Sequence, residues 1–182
     1  MKIGFDSEKY LKLQKEKILS RIKLFNKLYL EFGGKLVDDY HAARVLPGFE
    51  PDLKIRLLEE LKDDAEIILC INANAIENSK IRSDRMISYE TEVFRLIEFL
   101  RSREITIENV VITLYTGQKK VKEFINTLKD YDITPYIHTP TKGYPTDVKT
   151  IVSEEGYGKN PYIKTKKPVV VVIRAPFPPE RP

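Results

Sequence analysis

Short apolar runs alternate with amphipathic helical patterns along this chain, and that alternation constrains its fold more than any other feature. The run Glu66–Ile71 is apolar without alternation, as in a strand with both faces covered, and Val169–Ile173 gives the strongest strand signal. Further strands are predicted at Leu28–Phe32, Val110–Tyr115 and Ile133–Ile137. We therefore predict an α/β fold, a mostly parallel, Rossmann-like sheet of about five strands with helices on both faces.

Two segments between the strands constrain the loops. Either Asp38 or Asp39 is placed to cap a short helix that runs from His41 to Val45. Residues 77–85 are polar without good periodicity, which predicts a long loop with room for one helical turn.

The length of the chain bounds its domain organisation. A chain of 182 residues can bury one good core, so residues 1–173 are predicted to form a single α/β domain. Residues 174–182 contain four prolines, which exclude a helix or an inner strand and predict a disordered tail.

Composition excludes several classes of partner. The net charge is +4, but acidic residues are interspersed with the lysines and arginines, so we predict no nucleic-acid partner. No apolar run approaches a membrane span and no signal peptide is evident, which predicts a cytoplasmic protein without a membrane partner. Cys70, His41 and His138 are widely spaced, so no metal site is predicted, and Cys70 is interpreted as a buried hydrophobe.

A candidate ligand site follows from the predicted sheet. The carboxyl ends of parallel strands gather at one edge, so the loops that begin at Gly33, Asn72, Thr116 and His138 should be neighbours. Polar loops in that position commonly bind ligands, and several cations here favour a small anionic one. The candidate ligand-binding residues are Gly33, Gly34, Lys35, Arg44, Asn72, Asn74, Lys80, Arg82, Thr116, Gly117, Gln118, Lys142 and Tyr144.

Each part of this site has a simpler interpretation. Residues 33–35, Gly-Gly-Lys, would offer backbone amides and an ammonium to a phosphate, but a tight exit turn is favoured from the residues alone. Asp38, Asp39 and His41 are candidate catalytic residues, because a histidine beside a carboxylate can act as a base near neutral pH. An N-cap aspartate with an exposed ion pair explains them equally well.

The remaining loops leave similar alternatives open. The cationic residues Lys80 and Arg82 would form one wall of the site, but their segment also fits a flexible surface loop. Thr116 fits the cap of a strand-to-helix turn. Lys142 and Tyr144 also fit simple connecting turns. No Ser/His/Asp or Cys/His set is evident, so nucleophilic catalysis has no support and no cofactor is identified.

Long stretches of the chain resemble a bacterial protein family. They are LYLEFGGKLVDDYHAARVLPGFEPDLKIRLL, CINANAIENSKIRSDRMISYETEVFRLI, VVITLYTGQ, and the run from KGYP to VVVV. From Gly4 to about Val172 the chain is similar to the N-terminal part of the domain-of-unknown-function family eighteen-forty-six, also called uncharacterised protein family three-seven-one. The resemblance implies a cytoplasmic protein that is normally several times longer and has no established activity.

The chain departs from that family after its last strand. The family's usual pattern continues into a glycine-rich, P-loop-like run that ends in Ser-Gly-Lys, whereas Val169–Val172 here leads into the proline-rich tail. We therefore expect a chain truncated relative to the family.

Two functions fit these observations. The first is an anion, nucleotide or phosphometabolite-binding domain of a longer cytoplasmic enzyme. The alternative is a non-catalytic interaction or assembly domain, with a homo-oligomer as one form of it.

Overall fold

A computed structural model describes residues 4–32, 36–37, 39–82 and 86–175, apart from the side chain of Arg82. Its strands are β1 (Leu28–Phe32), β2 (Ala65–Asn72), β3 (Ile81–Arg82), β4 (Ile87–Ser88), β5 (Ile107–Thr113), β6 (Thr134–Ile137) and β7 (Val169–Arg174). Five of them form one parallel sheet in the order β1-β7-β2-β5-β6, while β3 and β4 form a small antiparallel hairpin. The predicted Rossmann-like α/β fold is confirmed.

One helix precedes β1, and the others lie in the connections between the strands. They are α1 (Ser7–Ile22), α2 (Tyr40–Val45), α3 (Leu53–Leu61), α4 (Ala73–Glu77), α5 (Tyr89–Ser102), α6 (Lys119–Asp130) and α7 (Val148–Ile151), with a 3₁₀ turn at Tyr157–Lys159. Asp39 caps α2, because its Oδ1 accepts the Ala42 N–H at 3.3 Å. No helix in the described ranges is long and apolar enough to cross a membrane.

The larger core lies between one face of the sheet and the long helices. Successive steps from β1 to β2, β5 and β6 all move in one direction across the sheet, so right-handed crossovers bring their helices to the same face. Residues of α3, α5 and the central strands meet there with almost no exposure, among them Leu58, Leu69, Ile97, Ile112 and Val171. This face supplies most of the buried apolar surface.

The opposite face is covered by the connection that returns from β6 to β7. Ile163 of that connection packs on a small cluster formed by Ile68, Val111 and Val170. The Lys166 N–H donates to both carboxylate oxygens of Glu66 at 2.8 Å, which holds the connection against the sheet. This connection does not extend over all of β1.

One predicted loop is wrong in part. Residues 77–85 contain the end of α4 and strand β3, which pairs with β4, rather than one long loop. Two-residue strands are too short to show a hydrophobic period, so the sequence pattern could not reveal them. Most of the predicted tail lies outside the described residues; Arg174 ends β7, and the Ala175 N–H donates to the Cys70 carbonyl at 2.9 Å.

The buried face of the sheet gives a direct test of the packing. Replacing Leu69, which is 0% exposed, with Ala should lower the free energy of unfolding by about 2–5 kcal/mol, because the cavity cannot fully close. Replacing Leu24, which is 77% exposed, should change it by less than about 0.5 kcal/mol. Urea unfolding of both variants measures the difference, and equal losses would contradict the assigned core.

Candidate functional site

Asn72 organises the carboxyl end of β2. Its Oδ1 accepts the N–H groups of Asn74 at 2.8 Å and Ala75 at 3.2 Å, so the side chain caps α4. The Asn72 N–H in turn donates to the Tyr89 hydroxyl at 3.3 Å. Tyr89 is buried, and burial is the main cause that raises the pKa of its hydroxyl to about 12. The hydroxyl therefore stays protonated at neutral pH.

Gln118 joins the loops that follow β2 and β5. Its Nε2 donates to Asn74 Oδ1 at 2.9 Å and to the Leu114 carbonyl at 3.1 Å. Its Oε1 accepts the Thr116 N–H at 2.8 Å. Between them, Gly117 has a φ of +102°, a left-handed conformation that glycine adopts without strain. The structure therefore brings together four predicted site residues, Asn74, Thr116, Gly117 and Gln118. Their polar atoms largely form hydrogen bonds within this group.

The loop after β6 adjoins the same edge. The Tyr115 N–H donates to the His138 carbonyl at 3.0 Å, and the His138 N–H donates to the Ile112 carbonyl at 2.9 Å. Three of the four predicted loops therefore lie side by side. The fourth begins with Gly33, Gly34 and Lys35, which lie outside the described residues.

The catalytic candidates near α2 have partners that fit a structural role. Besides capping α2, Asp39 forms an ion pair in which Lys54 Nζ lies 3.1 Å from Oδ2. His41 is exposed, and its Nδ1 lies 3.3 Å from Arg44 Nη2, a cation rather than a carboxylate. Asp38 lies outside the described residues. The geometry of Asp39 and His41 therefore favours the N-cap interpretation.

The other predicted ligands do not join the described hydrogen bonds of Gln118. Lys142 forms an exposed ion pair with Glu155, and that hydrogen bond and charge raise the pKa of the Lys142 ammonium. Tyr144 is exposed in the same loop, and Lys80 is half-buried beside the hairpin. The Arg82 side chain lies outside what the structure describes.

A group that the sequence did not reveal lies on the opposite face near the carboxyl edge. Arg174 Nε of β7 is 3.1 Å from Glu31 Oε1 of β1. Cys70 of β2 pairs in register with Arg174. Burial is the largest effect on the Cys70 thiol and raises its pKa. The Arg174 charge lowers that pKa, and the Glu31 charge raises it. These residues are remote in sequence, so only the strand order brings them together.

One cavity lies at the opposite ends of the strands. It has a volume of about 460 Å³, adjoins the amino ends of β2 and β5, and is lined by residues that include Lys62, Glu66, Glu104, Asn109 and Lys166. Within the described ranges, no group of three or more His, Cys, Asp or Glu side chains is suited to hold a metal ion.

Comparison with known proteins decides the family. Residues 3–180 match the sequence profile of the N-terminal domain of unknown function DUF1846. The chain belongs to the DUF1846 family. It is 57% identical over 178 residues to a UPF0371 protein of Clostridium botulinum strain Eklund 17B, and equally identical to a UPF0371 protein of Clostridium tetani strain Massachusetts. The alignment covers 98% of this chain and 35% of each relative.

The DUF1846 assignment confirms the resemblance drawn from the sequence. The chain spans about a third of the length of the curated relatives it matches. Their names state no activity, so the function of the domain has to be argued from its geometry.

The polar network at the carboxyl edge predicts the effect of removing Gln118. Gln118→Ala should lower the free energy of unfolding by about 1–2 kcal/mol, because it deletes three partly exposed hydrogen bonds. Gln14→Ala on α1 removes no described hydrogen bond and serves as the matched control. Chemical unfolding measures both, and an unchanged stability of Gln118→Ala would show that the network is not structural.

Proposed function

We propose that this chain is an anion, nucleotide or phosphometabolite-binding domain of a longer cytoplasmic enzyme. Its ligand lies at the carboxyl edge of the parallel sheet. The observation that supports this most is the strand order β1-β7-β2-β5-β6, which sends the connections that leave β5 and β6 to opposite faces.

That strand order creates a point where the connections diverge. The connections that leave β1, β2 and β5 run over the helical face, whereas the connection that leaves β6 runs over the opposite face. The carboxyl ends of β5 and β6 therefore lie beside two loops that turn to opposite faces of the sheet. Open α/β sheets bind their ligands in a crevice at such a point, outside the carboxyl ends of the strands.

The residues divide between supporting and contacting roles. The hydrogen bonds of Asn72, Asn74 and Gln118 fix one wall, so their role is to hold its shape. Residues 33–35 follow β1 directly in the sequence, and their amides and the Lys35 ammonium are the proposed contacts to an anion. Arg82 is the proposed second cation.

A ligand screen tests the proposed site. ATP, NAD⁺ and sugar phosphates are each added to the purified protein, and at least one should raise its melting temperature, since a ligand that binds only the folded state stabilises it. Lys35→Ala and Arg82→Ala should each abolish that rise. Lys129→Ala, which removes the same charge from the last turn of α6, should retain it. A cooperatively melting wild type that none of these compounds stabilises would contradict the proposal.

An interaction or assembly domain is the second candidate. Tyr29 of β1 is 67% exposed on the poorly covered face, beside a sheet edge that pairs with no other described strand. Exposed aromatic surface of this kind is typical of contacts between proteins.

Light scattering after size exclusion tests the homo-oligomeric form of this role. Raising the protein concentration should increase the measured mass above that of one chain, 21.2 kDa. The exposed Tyr29 should contribute, so Tyr29→Ser should shift the association to higher concentration. A constant monomeric mass would contradict self-assembly.

A further inference from the structure

A groove runs along the outer edge of β1. It encloses about 310 Å³ between α1, β1 and α3. Its apolar lining residues are Ile18, Leu30, Phe32, Phe49, Leu53 and Leu57. One wall is therefore a sheet edge, the other wall is a helix, and the floor is apolar.

The backbone of β1 offers hydrogen-bonding groups to this groove. The Leu28 N–H donates to the Pro168 carbonyl at 2.8 Å, which places residue 28 among those that face β7. Backbone groups alternate sides along a strand, so Leu30 and Phe32 also face β7. The N–H and C=O groups of Tyr29 and Glu31 therefore point outward, where no described strand pairs with them.

The other edge strand of the sheet, β6, cannot accept a further strand, whereas β1 can. The His138 N–H donates to the Ile112 carbonyl, so the same alternation turns Pro135 of β6 outward. Proline has no N–H, and at that position it prevents a further strand from pairing. At the equivalent outward positions β1 carries Tyr29 and Glu31, which keep their N–H groups.

The helical wall of the groove is cationic. Lys17 and Arg21 of α1 line it, are exposed, and form no ion pair with a described residue. Lys54 also lines the groove but pairs with Asp39, and the Glu31 carboxylate pairs with Arg174. The unneutralised charge of the groove is therefore positive.

We propose that this groove binds an extended, acidic peptide segment of a partner polypeptide, which adds to β1 as a further strand. The peptide backbone pairs with Tyr29 and Glu31, and its alternate apolar side chains face the floor formed by Leu53 and Leu57. Its carboxylates lie near Lys17 and Arg21. Strand addition of this kind takes affinity from main-chain hydrogen bonds and specificity from the flanking side chains.

The charges disfavour a second copy of this chain in the groove. Pairing β1 with β1 about a two-fold axis would continue the sheet and bring the α1 helices of both copies to the same face. Lys17 and Arg21 of one copy would then meet the same cations of the other, which is unfavourable. The proposal rests on the interaction role given above and specifies its surface and its partner.

Binding of a defined probe tests the groove. The probe is a fluorescein-labelled heptapeptide, Glu-Val-Asp-Val-Glu-Val-Asp, and saturable binding is read as fluorescence polarisation. A Lys-Val-Lys-Val-Lys-Val-Lys peptide should not bind. Two further acidic peptides carry N-methyl groups on alternate amides, one on the odd positions and one on the even positions. One of the two should no longer bind the unaltered protein, because its methylated amides are those that pair with β1.

Protein variants locate the binding. Tyr29→Pro should weaken binding about tenfold or more, because it removes one outward N–H and leaves the pairing of β1 with β7 intact. Tyr29→Ala keeps that N–H and should bind more tightly than Tyr29→Pro. Lys17→Ala and Arg21→Ala should each weaken binding and reduce its salt dependence. Thermal melts confirm that each variant is folded.

The outcomes separate this inference from the role on which it rests. The proposed peptide site in the groove would be overturned if the acidic peptide does not bind. It would also be overturned if neither N-methylation nor Tyr29→Pro reduces binding. If the protein still self-associates in light scattering, the interaction role stands without the groove; if it stays monomeric, the homo-oligomeric form of that role fails as well. Self-association that Tyr29→Pro abolishes would assign the groove to a second copy and overturn the proposed partner.

Discussion

Right-handed crossovers between parallel strands determine how this molecule is arranged. Each step from β1 through β2 and β5 to β6 moves the same way across the sheet, so α3, α5 and α6 share one face. The reverse step to β7 has to use the other face. The uneven cover of the sheet, the exposed position of Tyr29 and the divergence of the connections that leave β5 and β6 all follow from that single reversal.

The two candidate surfaces differ in whether their polar side chains have hydrogen-bond partners within the protein. At the carboxyl edge, the amides of Asn72 and Gln118 bond to neighbouring loops, and removing them would leave backbone groups unpaired. Along the outer edge of β1, the side chains of Lys17 and Arg21 have no such partners among the described residues and cost little to hold in water. The first arrangement stabilises the fold, whereas the second leaves charge available for another molecule.

Local patterns in the sequence were enough to predict the five strands of the main sheet and the short helix α2. The apolar runs at Glu66–Ile71 and Val169–Ile173 lie in β2 and β7, and Asp39 caps α2 as one of two named candidates. These features depend on neighbouring residues alone. The convergence of the Asn72, Thr116 and His138 loops also followed, because parallel strands place their carboxyl ends together.

Features that depend on strand order could not be predicted. The ion pair of Glu31 with Arg174 requires β7 to lie beside β1, and no local pattern states that neighbour. The β3–β4 hairpin is too short to show a period. A catalytic role of His41 stays a prediction, since Asp39 is paired with Lys54 while Asp38 lies outside the described residues.

The central place of β7 has a consequence for how the domain folds during synthesis. β2, β5 and β6 can pair as soon as each emerges from the ribosome, because they are successive in both sequence and sheet. β1 emerges first but has to wait for β7, as the Lys27 ammonium and the Lys167 carbonyl that it contacts are 140 positions apart. Contacts of such long range form slowly. Until they form, the apolar residues of β1 are exposed on the nascent chain, which is where a chaperone would act.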